Sequence, residues 1–390
     1  MQSRLVHLSF LVAFTLMVSV PSLVKAQYTT GPEFPEGVAF QLKNGDMNAS
    51  ALNKAQSGGA RIVRKGIYWD TIETSQGVYN WSTVDSWVYE MESRGFNMII
   101  TLVWNNRIYE DIYDRAIVTE QGRQAFAGFS SDVVSRYAGK NIIWEIWNEP
   151  DLPFFRGTAE EYIQMCKVAY PTIKSIAPDV TVLSGGWSAA NRNPGFIETV
   201  LSQNADTFDT LAVHAHGFFG SFKKIVDLRW GDLRKQYVQD KPIYFNETGL
   251  SSPGDTIDAD TQQAVELVRK VTFTMGRGAM AYNWYDLRHD GDNPNDHEHR
   301  YGMITRDFQA KPAYIAYNTL IGLLRGYKFH KQLITNDDQW MFLFENDNQY
   351  VLVGWSQQPY AVGQVVLHAD SKTVQHVDMM GNRRTLPRLS

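Results

Sequence analysis

The stretch Trp144-Glu145-Ile146-Trp147-Asn148-Glu149-Pro150 and its counterpart Ile243-Tyr244-Phe245-Asn246-Glu247-Thr248-Gly249 decide how the chain is read. Each is an apolar run closed by Asn-Glu, and each run is short enough for a buried strand rather than a helix. Pro150 cannot extend a ladder and Gly249 permits a sharp bend, so each glutamate is expected where a strand gives way to a turn. Period two along the first run puts Glu145, Trp147 and Glu149 on one face. Glu145 is then the deeper carboxylate. Buried, it needs a partner, and it is read as structural, paired with Arg61 or Arg64.

Working outward, eight strand-like runs each precede a helix-like stretch. They are Gly37–Gln41, Arg61–Lys65, Met98–Val103, Ile142–Asn148, Thr181–Ser184, Thr210–His214, Ile243–Asn246 and Ala279–Trp284. Thr158-Ala159-Glu160-Glu161 is a capping box, followed by Ile163, Cys166, Tyr170 and Ile173 at helical spacing. Asp260 with Gln263 opens another helix, with Ala264, Val268, Val271 and Met275 on one face. Strands that alternate with helices pair in parallel, and eight repeats predict an α/β fold, a closed (β/α)8 TIM barrel, over residues 27–325. After Arg325 the pattern changes to short β-like runs, Met341–Phe344, Tyr350–Trp355, Gly363–Leu367 and Thr373–Val377, separated by turn residues. Residues 326–390 are therefore read as a small all-β module packed on the barrel.

At 390 residues and 44% hydrophobic, the chain can bury a large core, and disorder is not expected. At the N-terminus Arg4 and His7 precede the apolar stretch Leu8–Val20, and Val24-Lys25-Ala26 offers a small-x-small cleavage site. Residues 1–26 are read as a secretory signal, too short to span a bilayer comfortably, and the product is expected to be secreted or periplasmic, off the membrane once the signal is cut. Cleavage removes Arg4 and Lys25 and no acid, so the net charge moves from −5 to −7. A mildly acidic surface argues against nucleic acid as a partner. Cys166 stands alone, which forbids an intrachain disulfide, and it falls on an apolar helix stripe as a small core residue.

In a barrel of this kind the site lies at the C-terminal ends of the strands, so Glu149 after strand four faces Glu247 after strand seven. Two carboxylates placed so can cleave a glycosidic bond: one protonates the leaving oxygen while the other attacks the sugar carbon. A gap of about 5–5.5 Å between them means retention of configuration, and a wider gap means inversion. The attacking carboxylate must stay ionised, and Arg64 at the end of strand two is placed to ensure it. The loop His289–Arg300 holds three histidines and several acids, but its spacing fits no zinc or calcium loop, so it is read as a polar lid; neither a metal nor a cofactor is expected. Trp104, Asn105, Trp187 and Phe218 follow strand ends and are candidate subsite walls. Asn48, Asn80 and Asn246 each begin an N-glycosylation triplet, the last of them inside the site.

These motifs resemble clan A of the glycoside hydrolases, the retaining (β/α)8 enzymes, and most of all its family 39 and related family 5 members. The resemblance spans nearly the whole chain after residue 26. It implies Glu149 as acid/base, Asn148 as partner of the sugar 2-hydroxyl, Glu247 as nucleophile, Arg64 as the arginine holding that nucleophile, and Trp284 as the floor of the central subsite. It is also carried by Tyr301-Gly302-Met303-Ile304 and Lys311-Pro312-Ala313-Tyr314 before the last helix. Where relatives have His-x-Tyr after strand six, with the tyrosine touching the nucleophile, this chain has His214-Ala215-His216. Either His216 replaces that tyrosine or the register shifts by one; both histidines, with Trp104, join the substrate-binding candidates. The implied activity is cleavage of β-glycosidic bonds in a poly- or oligosaccharide through a covalent glycosyl-enzyme. The alternatives are a transglycosylase that remodels an exported polysaccharide and a catalytically silent carbohydrate-binding barrel.

Overall fold

The computed structural model describes residues 12–17, 33–34, 38–110, 115–190, 192–335, 338–347, 349–357 and 373–387. Eight parallel strands form the barrel: β1 Val38–Gln41, β2 Ile62–Tyr68, β3 Asn97–Val103, β4 Ile142–Ile146, β5 Val182–Leu183, β6 Leu211–His214, β7 Ile243–Thr248 and β8 Ala279–Trp284. The fifth strand is interrupted. Its first half pairs with β4 through Trp144 and Val182, and its continuation Trp187–Ser188 pairs with β6. A bridge between Leu183 and Thr210 closes the ring.

The intervening helices are α1 Ala49–Ser57, α2 Ser82–Ser93, α3 Glu120–Arg136, α4 Ala159–Ile176, α5 Phe196–Gln203, α6 Phe219–Lys224, α7 Ile257–Met275 and α8 Pro312–Leu324. α6 runs on through a π-helical segment, Ile225–Trp230, into Gly231–Tyr237. The starts follow local chemistry. Asn48, Thr119 and Thr158 each accept a backbone N–H of the first turn, and Thr158 with Glu161 forms the expected capping box. α7 begins at Ile257 under a Thr256 cap, three residues before the expected Asp260, because the Thr256 hydroxyl takes the Ala259 N–H. Every residue of α7 from Gln263 to Met275 is buried, so this helix is covered on two faces rather than the one the pattern suggested.

The second cover is the C-terminal sheet. Antiparallel strands β9 Tyr327–Thr335, β10 Gln339–Asn346 and β11 Gln349–Ser356 pair in sequence, and β12 Thr373–Val377 pairs with β13 Arg383–Pro387. The strand Val12–Met17 lies between β11 and β12, and Glu33–Phe34 pairs with β9. The remainder of the expected signal segment and the expected strand Gly363–Leu367 lie outside the described residues. Trp340 and Trp355 stack on each other at 6.1 Å and set their rings edge-on against Phe219 of α6. Trp340 also meets Phe273 of α7 at 5.8 Å. Each such ring contributes about 1.5–3 kcal/mol by leaving water.

Inside the barrel, Ile62, Ile99, Leu183, Ala212, Tyr244 and Ala281 form a separate apolar plug from six different strands. It fills the barrel interior so that polar side chains gather above it, at the strand ends. Cys166 is buried on α4 as expected, and burial pushes its thiol up to about 12.

Candidate active site

β4 ends at Ile146. Trp147 and Glu149 then take positive φ, 73° and 45°, which breaks the two-residue alternation. Trp147 therefore leaves the Glu145 face and packs fully buried against Phe155 and Trp104, its indole N–H donating to the Phe154 carbonyl at 2.9 Å. Glu149 turns into the mouth of the barrel. Its backbone N–H is fixed 2.7 Å from the Gly185 carbonyl, in the gap that splits β5.

Glu145, with no exposed surface, is the anchor beneath. One of its oxygens accepts from Arg64 Nε at 2.8 Å and from the Thr101 hydroxyl at 2.6 Å; the other accepts from Asn246. Of the two expected partners, Arg64 is the one it takes. Arg64 also donates to Glu247 Oε2 at 2.8 Å, to Asn148 Oδ1 at 2.7 Å and to Gln41 Oε1 at 3.3 Å. The guanidinium thus spends its donors on four protein groups. It positions and charges the site rather than reaching for substrate. With its oxygen held by Arg64, the Asn148 amide presents its N–H2 end to the cavity.

β6 and β7 slip in register between Ala212 and His214, which sets His214 opposite Glu247. His214 Nδ1 lies 3.0 Å from Glu149 Oε1 and 3.8 Å from Glu247 Oε2. Nδ1 is within hydrogen-bond distance of Glu149 but out of line with it, and the attraction to Glu247 is Coulombic. Burial lowers the His214 pKa, the two glutamates raise it more, and the net is above its ordinary 6.5. His216 Nε2 stands 3.5 Å from Glu247 Oε1. Burial favours the neutral Glu247 carboxyl, but His214, His216 and Arg64 together outweigh it and hold the group far below the usual carboxylate range. A carboxylate oxygen of Glu149, a nitrogen of His214 and a carboxylate oxygen of Glu247 all lie within 4.8 Å of one another. This is also the one group of three potential metal ligands among the described residues; the acids and histidines of loop 289–300 do not converge.

The two carboxylates open into a cavity of about 790 Å³, within the span of roughly 300–1,000 Å³ usual for ligand pockets. Of the expected walls, Trp104 lines it, stacked on Phe154 at 5.9 Å. Asn105 is buried and receives the Arg115 N–H, Trp187 is fully buried, and Phe218 faces solvent; none of the three lines the cavity. Trp284, expected as the subsite floor, is corrected in the same way. It is fully buried, donates to the Tyr301 carbonyl at 3.4 Å and lies 5.1 Å from the Lys270 ammonium. Its neighbour Tyr285 lines the cavity instead, in a mutually edge-on trio with His216 and Tyr301 above Glu247.

Several participants escaped sequence reasoning. Lys43 lines the cavity two residues past β1, contacts Tyr285 and Asp290, and lies 3.5 Å from the fully buried Asp286, whose carboxyl burial pushes well above the usual range. A search of every strand end would have raised Lys43 and Tyr285. Lys270, buried in α7, donates to the carbonyls of Gly217 and Gly249 at 2.9 and 2.8 Å; burial pulls its pKa down to about 7. A Cβ on Gly249 would sit 2.1 Å from the Tyr285 carbonyl oxygen, so only glycine lets these loops meet. Loop 289–300 does reach the cavity, through Glu298.

The sequence model of the cellulase family, glycosyl hydrolase family 5, matches residues 30–288. A family 39 glycoside hydrolase from the gut symbiont Bacteroides cellulosilyticus WH2 superposes with a TM-score of 0.72 at 22% identity, over 83% of this chain and 71% of that one. A GH39 β-xylosidase from Caulobacter crescentus gives 0.62 at 15% identity, over 84% and 79%. GH5_18 from Streptomyces cattleya, solved with GlcNAc, gives 0.58 at 14% identity, over 76% and 81%. These likenesses show the shared barrel. No protein of curated function matches.

Proposed function

The chain belongs to glycosyl hydrolase family 5, and from that premise we propose that it is a retaining β-glycosidase acting on a poly- or oligosaccharide. The observation that carries the reading is the approach of one carboxylate oxygen of Glu149 to within 4.8 Å of one of Glu247. Inverting pairs stand about 6.5–9.5 Å apart to admit a water, so this spacing supports direct attack. Glu247, held ionised, attacks the anomeric carbon as the glycosidic C–O bond breaks. The leaving oxygen takes its proton from Glu149. Water then displaces Glu247 from the glycosyl-enzyme while Glu149 accepts the water's proton. The free N–H2 of Asn148 is the donor for the sugar 2-hydroxyl. No helix of the described residues is long and apolar enough to cross a membrane.

The test is proton NMR of the first product from a panel of aryl β-glycosides and β-linked polysaccharides, with Glu247→Gln as blank. A β-anomer released first, and absent with the variant, is the expected result; an α-anomer first, or undiminished release by the variant, overturns the reading. Transfer products at high substrate would mark a transglycosylase. Glu149→Ala should hurt poor leaving groups far more than activated aryl ones, since only the former need the proton. Export is part of the proposal and rests on the stretch Leu8–Val20 followed by Val24-Lys25-Ala26. Cleavage after Ala26 would carry away the strand Val12–Met17, and N-terminal sequencing of the product from culture medium decides it.

A further inference from the structure

A second cavity, a groove of about 640 Å³ on the outside of the barrel, shares no residue with the catalytic one. Its walls are Tyr79, Trp81, Tyr89, Asp132, Ser135 and Arg136, from the segment before α2, α2 itself and the end of α3. Gly77 opens one side: no atom lies within 4 Å of where its Cβ would stand.

The rings are held as rigid plates. Tyr79 stacks on Trp81 at 4.9 Å and 21°. Arg136 lies 5.1 Å from the Trp81 ring and is itself gripped by Asp85, Nε to Oδ1 at 2.7 Å. Tyr89, 47% exposed, has the Lys140 ammonium 4.6 Å from its ring, and Lys140 is paired with Glu92 at 2.6 Å. Both cations of the rim thus already carry a carboxylate. By contrast the exposed side chains of Asp132 and Ser135 make no hydrogen bond or ion pair among the described residues. An anionic ligand would meet an unpaired carboxylate and no free cation. An apolar ligand would leave Asp132 and Ser135 unanswered. A neutral ring with one C–H face and many hydroxyls answers both: its face covers the aromatic plates and its hydroxyls donate to Asp132 and bond Ser135.

We propose that this groove is an auxiliary binding site for a neutral glycan, a segment of the polysaccharide that the catalytic cleft cuts; the identity of that glycan rests on the glycosidase reading above. The site holds polymer on the enzyme without touching the bond being broken.

The test uses the full chain, with Tyr89→Ala and Asp132→Ala singly and together. Retardation is measured in native gels cast with soluble xylan, mixed-linkage β-glucan or glucomannan, in the Glu247→Gln background so that polymer persists. In the active background, kcat/KM is measured on an aryl glycoside and KM on the retarding polymer. The expected result is a 5- to 10-fold weaker retardation, a matching rise in polymer KM, and aryl glycoside kinetics and Tm within error of the parent. Retardation equal to the parent's in the double variant overturns the proposal, as does a parent retarded by none of the three polymers. Absence of turnover on the aryl glycoside and on every polymer, with retardation still lost in the variants, sinks the glycosidase reading and leaves the groove standing. Trp81→Phe keeps a plate in place and should retain most of the retardation.

Discussion

Replacing Arg64 with methionine removes the cation that Glu145 and Glu247 share while keeping much of the side-chain volume. In the wild type the guanidinium is 2% exposed and lies within 2.8 Å of both carboxylates. Without it, two buried carboxylates face each other with one imidazole pair for company. Breaking a buried ion pair from one side costs about 3–5 kcal/mol. For large domains 1 kcal/mol is worth about 2–4 °C, so the variant should lose roughly 6–20 °C in Tm at neutral pH. The sign with pH follows from the carboxylates. Glu247 is held far below the unfolded value of about 4.3 in the wild type, so the stability Arg64 adds through it is full above that value and is lost as pH falls toward the lowered folded value. The Tm gap between variant and wild type should therefore hold from pH 7 to about pH 4.5 and narrow as pH falls below about 4.3. Activity should follow: Glu247 no longer stays ionised into acid, so the acid limb of kcat/KM on an aryl glycoside moves up in pH. Scanning fluorimetry across pH and initial rates on the same preparations read both. A Tm loss under about 2 °C, or a gap that does not change with pH, refutes the reasoning that charge compensation is what Arg64 supplies. Arg64→Lys, which keeps the charge and loses the fork, should fall between the two.

His214→Gln should raise the acid limb of kcat/KM, because the charge holding Glu247 ionised is reduced; an unmoved limb would remove His214 from that role. The raised His214 pKa also stabilises the fold below about 6.5 and loses that contribution as pH rises through the folded value, so the wild type should show a fall in Tm as pH climbs past about 6.5 that the variant lacks. Gly186→Ala places a Cβ 2.4 Å from His214 Nε2 at φ 60°, where an L-residue costs about 1–2 kcal/mol before any clash. A lowered Tm with a larger loss of turnover is expected, and full activity would show that the β5 gap tolerates a side chain.

The barrel was legible because its strands are buried on both sides and so read as apolar runs with turn residues between them. The two Asn-Glu pairs were legible because a carboxylate closing a buried run must be answered by a partner or a site at the strand end. What escaped depends on three-dimensional register. The slip between β6 and β7 that sets His214 against Glu247 leaves no trace in the sequence. Trp284 and Tyr285 are adjacent aromatics at a strand end, and only the backbone decides which faces the cavity. β9 went unread because its run Tyr327-Lys328-Phe329-His330-Lys331 mixes basic residues into the strand, as a half-exposed strand does. The two-sided burial of α7 was hidden because Glu266, Arg269 and Lys270 are charged residues buried with partners.

The aromatic seam between the C-terminal sheet and the barrel also has a mechanical meaning. Trp340 rests on Phe273, one helical turn beyond Lys270 on α7, and Lys270 in turn grips the loops that follow His216 and Glu247. Sheet, helix, ammonium and the loop after Glu247 therefore stand in series, like a buttress, wall and lintel. The sheet is part of the foundation of the active site, so a barrel trimmed after Arg325 would be a loosened catalyst rather than a minimal one, with its turnover failing at a lower temperature than that of the full chain.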